Sequence, residues 1–185
     1  MADIGAGDGD LAFFLESMGR QVDIIDHATT NFNGMRGVRL LQAALKSSVT
    51  VTDVDLDAQF RLPRDDYDVV FFLGVLYHLK NPFYALEMLA GSTRYCLMST
   101  RVAQWAGEPP TAIENLPVAY LLGPQEANND PTNFWIFSKV ALLRLFGRTG
   151  WDVLDLATFG DTTASDPTSP DRDERAFALL RSRSQ

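Results

Sequence analysis

Asp3-Ile4-Gly5-Ala6-Gly7-Asp8-Gly9-Asp10, followed by Leu11-Ala12-Phe13-Phe14-Leu15, is the stretch on which the fold turns. It reads as the end of a strand, a glycine-rich turn and the start of an amphipathic helix. Glycine has no Cβ, so a ligand can lie directly against such a turn. The spacing is Gly-x-Gly-x-Gly behind an acid, whereas the dinucleotide fingerprint is Gly-x-Gly-x-x-Gly. Asp10 stands where the third glycine of that fingerprint would be. A diphosphate would also meet Asp3, Asp8 and Asp10, a poor match at a helix N-terminus. A sulfonium carrying an amino group and no phosphate suits this acidic rim, and the turn points to S-adenosylmethionine.

Outward from the turn, apolar runs alternate with helical patterns, which predicts an α/β fold with a mostly parallel sheet and helices on its faces. Leu11, Phe14, Leu15 and Met18 share one face of the first helix, with Asp10 as its N-cap and Gly19 as its stop. Strands are expected at 21–26, 49–51, 67–73, 94–99, 151–159 and 175–180, beside the stub before Gly5. Helices are expected at 36–46, with Val38, Leu41 and Leu45 on one face, at 83–90 behind Asn81-Pro82, and at 138–148. The last two strands are joined by the polar stretch 160–174 without a helix, the pattern of an antiparallel hairpin. Residues 100–133, rich in Pro, Asn and Glu, read as an insertion or lid within a single domain, 1–185.

Composition narrows the function. A chain of 185 residues, 46% hydrophobic and 22% charged, is an ordinary globular composition with enough length for one core. No apolar run approaches the roughly 18 residues of a membrane span, and no leader pattern opens the chain, so a cytoplasmic protein without membrane association is expected. Two histidines and the lone Cys96, inside an apolar run, leave little material for a metal site, and none is expected. The net charge of −8, with lysine only at 46, 80 and 139, disfavours tRNA and favours a small-molecule acceptor. Oligomeric state is not readable.

With these elements in place, the chain resembles the class I S-adenosylmethionine-dependent methyltransferases. The resemblance rests on Asp3-x-Gly5-x-Gly7-x-Gly9, on Asp26 at the end of the second strand, on the acidic turn at Asp55, and on the run Phe71 to Leu79. It implies a Rossmann-like, seven-stranded, mostly parallel sheet with a C-terminal antiparallel hairpin and helices on both faces. N-terminal helices and most of strand one, usual in that family, are absent before Asp3. The run Phe71-Phe72-Leu73-Gly74-Val75-Leu76-Tyr77-His78-Leu79 with Asn81-Pro82, and Thr132-Asn133-Phe134-Trp135, also resemble the tRNA wobble-uridine methyl- and carboxymethyltransferases. That branch holds an extra cofactor carboxylate with cationic residues; Tyr77 matches a tyrosine of that site, while no matching lysine is visible.

The expected roles follow. Gly5, Ala6, Gly7 and Gly9 form the loop that approaches the cofactor, and Asp3 orients it or accepts from the cofactor's amino group. Asp26, about twenty residues on, is placed to accept ribose hydroxyls, with His27 beside it. Asp55 is the match for the adenine-binding acid and Leu56 for the residue packed on the ring; Asp53 and Asp57 compete for the first role. Leu73 and Gly74 end the fourth strand at the crevice, and Tyr77 and His78 flank the reacting centre. His78 is the candidate general base, with helix-start packing as its alternative. Arg101, Tyr120, Asn128, Asn129, Asp130, Asn133 and Trp135 are the insertion's groups for acceptor choice. Against methyl transfer stand a cofactor-binding module without catalysis and a nicotinamide-dependent reductase.

Overall fold

The computed structural model describes residues 1–58 and 60–184. Strand β1 (Ala2–Ile4) is followed by α1 (Asp10–Ser17), β2 (Asp23–Asp26), α2 (Arg36–Leu45), β3 (Thr50–Asp53) and β4 (Tyr67–Leu73). A 3-10 turn (Leu76–His78) leads to α3 (Pro82–Ala90) and β5 (Thr93–Val102). The remaining elements are β6 (Trp105–Ala106), β7 (Thr111–Ala112), β8 (Ala119–Leu121), β9 (Trp135–Phe137), α4 (Lys139–Arg148), β10 (Trp151–Gly160) and β11 (Glu174–Ser182).

The main path of the sheet runs β10-β11-β5-β4-β1-β2-β3. Its pairs are parallel from β3 through β5, and β11 is antiparallel to both β5 and β10. This is the seven-stranded arrangement with a terminal hairpin that the sequence predicts. Side-chain alternation then splits the core between two faces. Ile4, Ile25 and Phe72 stand side by side in register and pack with Leu86, Leu89, Phe146 and Trp151 from the α3/α4 side. Ile24 faces the other way, against Ala12, Phe13 and Val38 of α1 and α2.

Local chemistry explains the helix boundaries. Asn81 caps α3 by accepting from the Tyr84 amide (3.2 Å), with Pro82 at the first helical position. Ser138 caps α4 by accepting from the Ala141 amide (3.0 Å). The expectation for α1 is corrected: Gly9, at φ 85°, is its N-cap, and Asp10 is the first helical residue. Its buried face is also different, because Ala12 and Phe13 turn inward whereas Phe14 is 60% exposed and Met18 54% exposed. A helix of eight residues makes only about two turns, so helical spacing could not select between neighbouring apolar stripes. Leu45, the last residue of α2, is exposed as well, whereas Val38 of the same expected face is buried.

The segment read as an insertion, 100–133, carries short strands of its own. β5 continues to Val102, and β8 pairs with β9, which joins the sheet through Val102↔Phe137. β4 has stopped at Leu73, opposite Ser99, so β9 takes the place beside β5 that β4 vacates. The sheet thus has nine strands, and the loop 122–134 is brought back over the strand tips.

Candidate active site

A cavity of about 660 Å³ opens at the C-terminal tips of β1, β2 and β4, where open α/β sheets bind ligands. Its floor includes Ile4, Gly5 and Gly7; its sides include Asp26, His27, Asp55, Leu56, Gly74 and His78. Gly5 and Gly7 have φ of 69° and 61°, the left-handed region that side chains rarely adopt. A Cβ on Gly5 would overlap the Val75 side chain, so the loop can sit this close to the β4 tip only as glycine.

Asp26 ties the loop to the sheet. Its Oδ2 accepts from the Gly7 amide (3.0 Å) and from Asn31 Nδ2 (3.0 Å), and its Oδ1 accepts from the His27 amide (2.7 Å). Oδ1 therefore retains acceptor capacity on the cavity wall. Asn31 also donates to the Gly7 carbonyl (3.2 Å), and Phe32, 75% exposed, stands next to Gly7 at the rim. Neither residue was singled out from the sequence, because loop position alone carries no periodic signal.

The three competing acids separate by their partners. Asp53 Oδ1 accepts from the Ala28 amide (3.0 Å) and meets His27 Nδ1 (3.2 Å), and the amide bond above all holds its carboxyl below the usual range. Asp57 Oδ1 accepts from the amides of Lys80 and Asn81 (2.7 and 3.1 Å). Among the described residues the Asp55 carboxylate accepts from the Asp57 amide of its own turn (2.9 Å), and Asp55, Leu56 and Asp57 all line the cavity.

Asp3, Ala6, Gly9, Leu73 and Tyr77 are not on the cavity wall. Asp3 is 4% exposed; burial pushes its carboxyl up to about 6, and its Oδ2 has no hydrogen-bond partner among the described residues. Gly9 is where α1 approaches β2: a Cβ there would press on Ile24 and Phe13. Tyr77 is buried with its ring 4.3 Å from that of His78, and Gly74 lies next to its hydroxyl. The Arg175 guanidinium stands 5.7 Å from the Tyr77 ring centroid and also close to Gly74. Arg175 comes from β11, about a hundred residues from Tyr77 along the chain, which is why no local motif revealed it.

His78 Nδ1 lies 3.0 Å from both the carbonyl oxygen and the hydroxyl of Thr132. Burial lowers its pKa; Thr132 and Asp130 oppose this and Arg175 adds to it. The adjacent Phe134 amide donates to the Tyr77 carbonyl (2.8 Å), so loop 122–134 is stitched to the 3-10 turn. Of the insertion groups expected at the acceptor site, only Asp130 lines this cavity. Arg101 is buried in an ion pair with Asp173, the Tyr120 hydroxyl donates to Glu126, and Asn133 donates to the Ala127 carbonyl. Trp135 packs against the main core.

Cys96 is fully buried, which pushes its thiol well above the ordinary range and leaves it inert. Among the described residues, no group of three His, Cys, Asp or Glu is placed to hold a metal ion, and no helix is long and apolar enough to cross a membrane.

No family model matches the sequence, and no curated protein matches it. Solved structures do. An S-adenosylmethionine-dependent methyltransferase from Mesorhizobium loti aligns over 97% of this chain and 89% of its own, with TM-score 0.69 and 16% identity. The N-terminal domain of EvdMO1, solved with SAH bound, aligns over 98% and 74%, with TM-score 0.66 and 15% identity. The cyclase SpnF aligns over 98% and 73%, with TM-score 0.70 and 13% identity. The sheet order, its terminal hairpin and these alignments agree that the chain has the class I fold of S-adenosylmethionine-dependent methyltransferases.

Proposed function

We propose that this protein binds S-adenosylmethionine and transfers its methyl group to a small-molecule acceptor. The observation that carries the reading is the cavity's lining: glycine backbone on one side, and Asp26, Asp55, Asp57 and Asp130 around it. Lys80 is the lysine or arginine among the described lining residues. Such a rim repels pyrophosphate and favours a cationic ligand. The volume lies within the range of small-molecule sites.

The residues fit the cofactor. Gly5 and Gly7 would lie against its amino-acid and ribose portions, the spare acceptor capacity of Asp26 would take a ribose hydroxyl, and Asp55 with Leu56 would receive adenine. The cofactor, when bound, supplies an electrophilic methyl group on sulfur. The chain's own task is alignment, which can contribute roughly 7–11 kcal/mol to the barrier. Gly74 keeps the β4 tip low between the cofactor side and the Tyr77/Arg175 side.

Titration calorimetry with S-adenosylmethionine, its demethylated product and a reduced dinucleotide tests this directly. Binding of the sulfonium and not of the dinucleotide is expected; the reverse would overturn it. Asp26→Ala should weaken binding by about 1–3 kcal/mol, the usual cost of losing hydrogen bonds to a charge. Binding without transfer to any acceptor pool would favour the non-catalytic module.

A second reading has one specific observation in its favour. Arg175 stands 5.7 Å from the ring of Tyr77, the residue that resembles a tyrosine of the carboxymethylating branch, behind the cavity wall and 3.5 Å from Asp173, so a carboxylated cofactor is the alternative donor. Charge reversal by Arg175→Glu should then abolish carboxylated-cofactor binding while sparing the ordinary cofactor.

A further inference from the structure

The bonds at His78 define more than a packed ring. Its Nδ1 faces two oxygens of Thr132 at 3.0 Å, and one of them is a carbonyl, which can only accept. Nδ1 must therefore carry the hydrogen in the neutral ring. The Thr132 hydroxyl donates to Asp130 Oδ1 at 2.6 Å, and the Thr132 amide donates to the same oxygen at 2.9 Å. With its hydrogen committed to Asp130, the Thr132 hydroxyl presents a lone pair to His78. Nε2 has no partner among the described residues, and His78, Asp130 and Thr132 all line the cavity.

We propose that Asp130 and Thr132 are positioning residues that lock His78 as the Nδ1–H tautomer, leaving bare Nε2 as the base for an acceptor whose attacking atom carries a proton. This rests on the methyl-transfer reading and adds the acceptor class, a hydroxyl rather than a carboxylate or thiolate, which need no base. The acceptor's O–H bond breaks, its proton goes to Nε2, and its oxygen forms the bond to the methyl carbon as the C–S electron pair leaves with sulfur. The arrangement follows the logic of a base oriented by a second and third group. Burial lowers the pKa of the ring and Arg175 on β11 works in the same direction, against the bond to Thr132 and the charge of Asp130.

Long-range proton–nitrogen correlation spectra of the chain labelled in histidine test the tautomer without any ligand. Two histidines are present, and His78→Gln assigns the signals. The expected pattern is a pyrrole-type Nδ1 and a pyridine-type Nε2 for His78. Thr132→Val, which removes the hydroxyl and keeps the carbonyl acceptor, should raise the minor Nε2–H population while Nδ1–H stays the major form. Asp130→Asn should weaken proton affinity by about three- to tenfold through loss of the nearby charge. An Nε2–H tautomer in the wild type, or folded variants that leave both properties unchanged, would overturn the proposal. In turnover with a labelled methyl donor, transfer to phenols that His78→Gln abolishes is expected; transfer confined to thiols and untouched by that change would also overturn it. Failure to bind S-adenosylmethionine in calorimetry sinks the methyl-transfer reading and with it the acceptor class, whereas a wrong tautomer sinks this inference alone.

Discussion

Asp3 sits almost wholly out of water with one carboxylate oxygen unpartnered among the described residues, and its pKa is raised to about 6. The sign follows from linkage: a raised acid pKa means that the fold favours the protonated form, so stability is lost as pH climbs from about 4 towards 6. Asp3→Asn should therefore stabilise the ligand-free protein by about 2–3 kcal/mol at neutral pH and by little near pH 4. Denaturant titrations at the two pH values check this, and an equal effect at both would show that the carboxylate is not the cause. Gly5→Ala works in the opposite direction. It places a Cβ against Val75 and forces a side chain to φ 69°, so a loss of about 1–3 kcal/mol is expected, together with loss of cofactor binding.

At the scale of elements, two loops decide the site, and each is anchored by a capping side chain. Ser138 accepts from the Ala141 amide and donates to the Leu116 carbonyl, so one hydroxyl starts α4 and pins the approach to β8. Ser138→Ala should cost about 1–2 kcal/mol, the upper range for an N-cap, because two bonds go with it. Thermal denaturation measures the loss. Asn81 shares its first-turn role with Asp57, which accepts from the Lys80 and Asn81 amides, so the cavity wall and the start of α3 form one unit. The starts of these helices were legible in advance, Pro82 in the first turn and Ser138 at the head of its helix, but the capping bonds of Asn81 and Ser138 came from the structure. The bond from Asp57 was not legible either, because it crosses more than twenty residues.

Across the whole molecule, the two faces of the sheet are unequally covered. Leu180 is fully buried on the α3/α4 side, while its neighbour Leu179, facing the other way, is 38% exposed beside Phe177. Leu180→Lys should destabilise the fold by about 3 kcal/mol or more, whereas Leu179→Lys should cost less than about 1 kcal/mol. Equal losses in paired unfolding curves would mean that the second face is covered in solution. Hydrogen exchange belongs to this scale as well: the amides of β4 and β5, central in the sheet, should be the slowest.

The sequence by itself marked the alternation of strands and helices, the terminal hairpin and the glycine loop, while the order of the strands came from their pairing. Each feature so marked depends on periodicity or on a backbone conformation that only certain residues adopt, and both are local properties. Asp26 and Asp55 could be nominated because strand ends are visible locally, but the partners that tell Asp55 apart from Asp53 and Asp57 are seen only in the structure. The buried face of α1 was misread because a short helix offers two apolar stripes, and the sheet selects one. Tertiary structure alone decided that Asp130 and Thr132 meet His78 and that Arg175 meets Tyr77, since strand pairing brings these distant residues together.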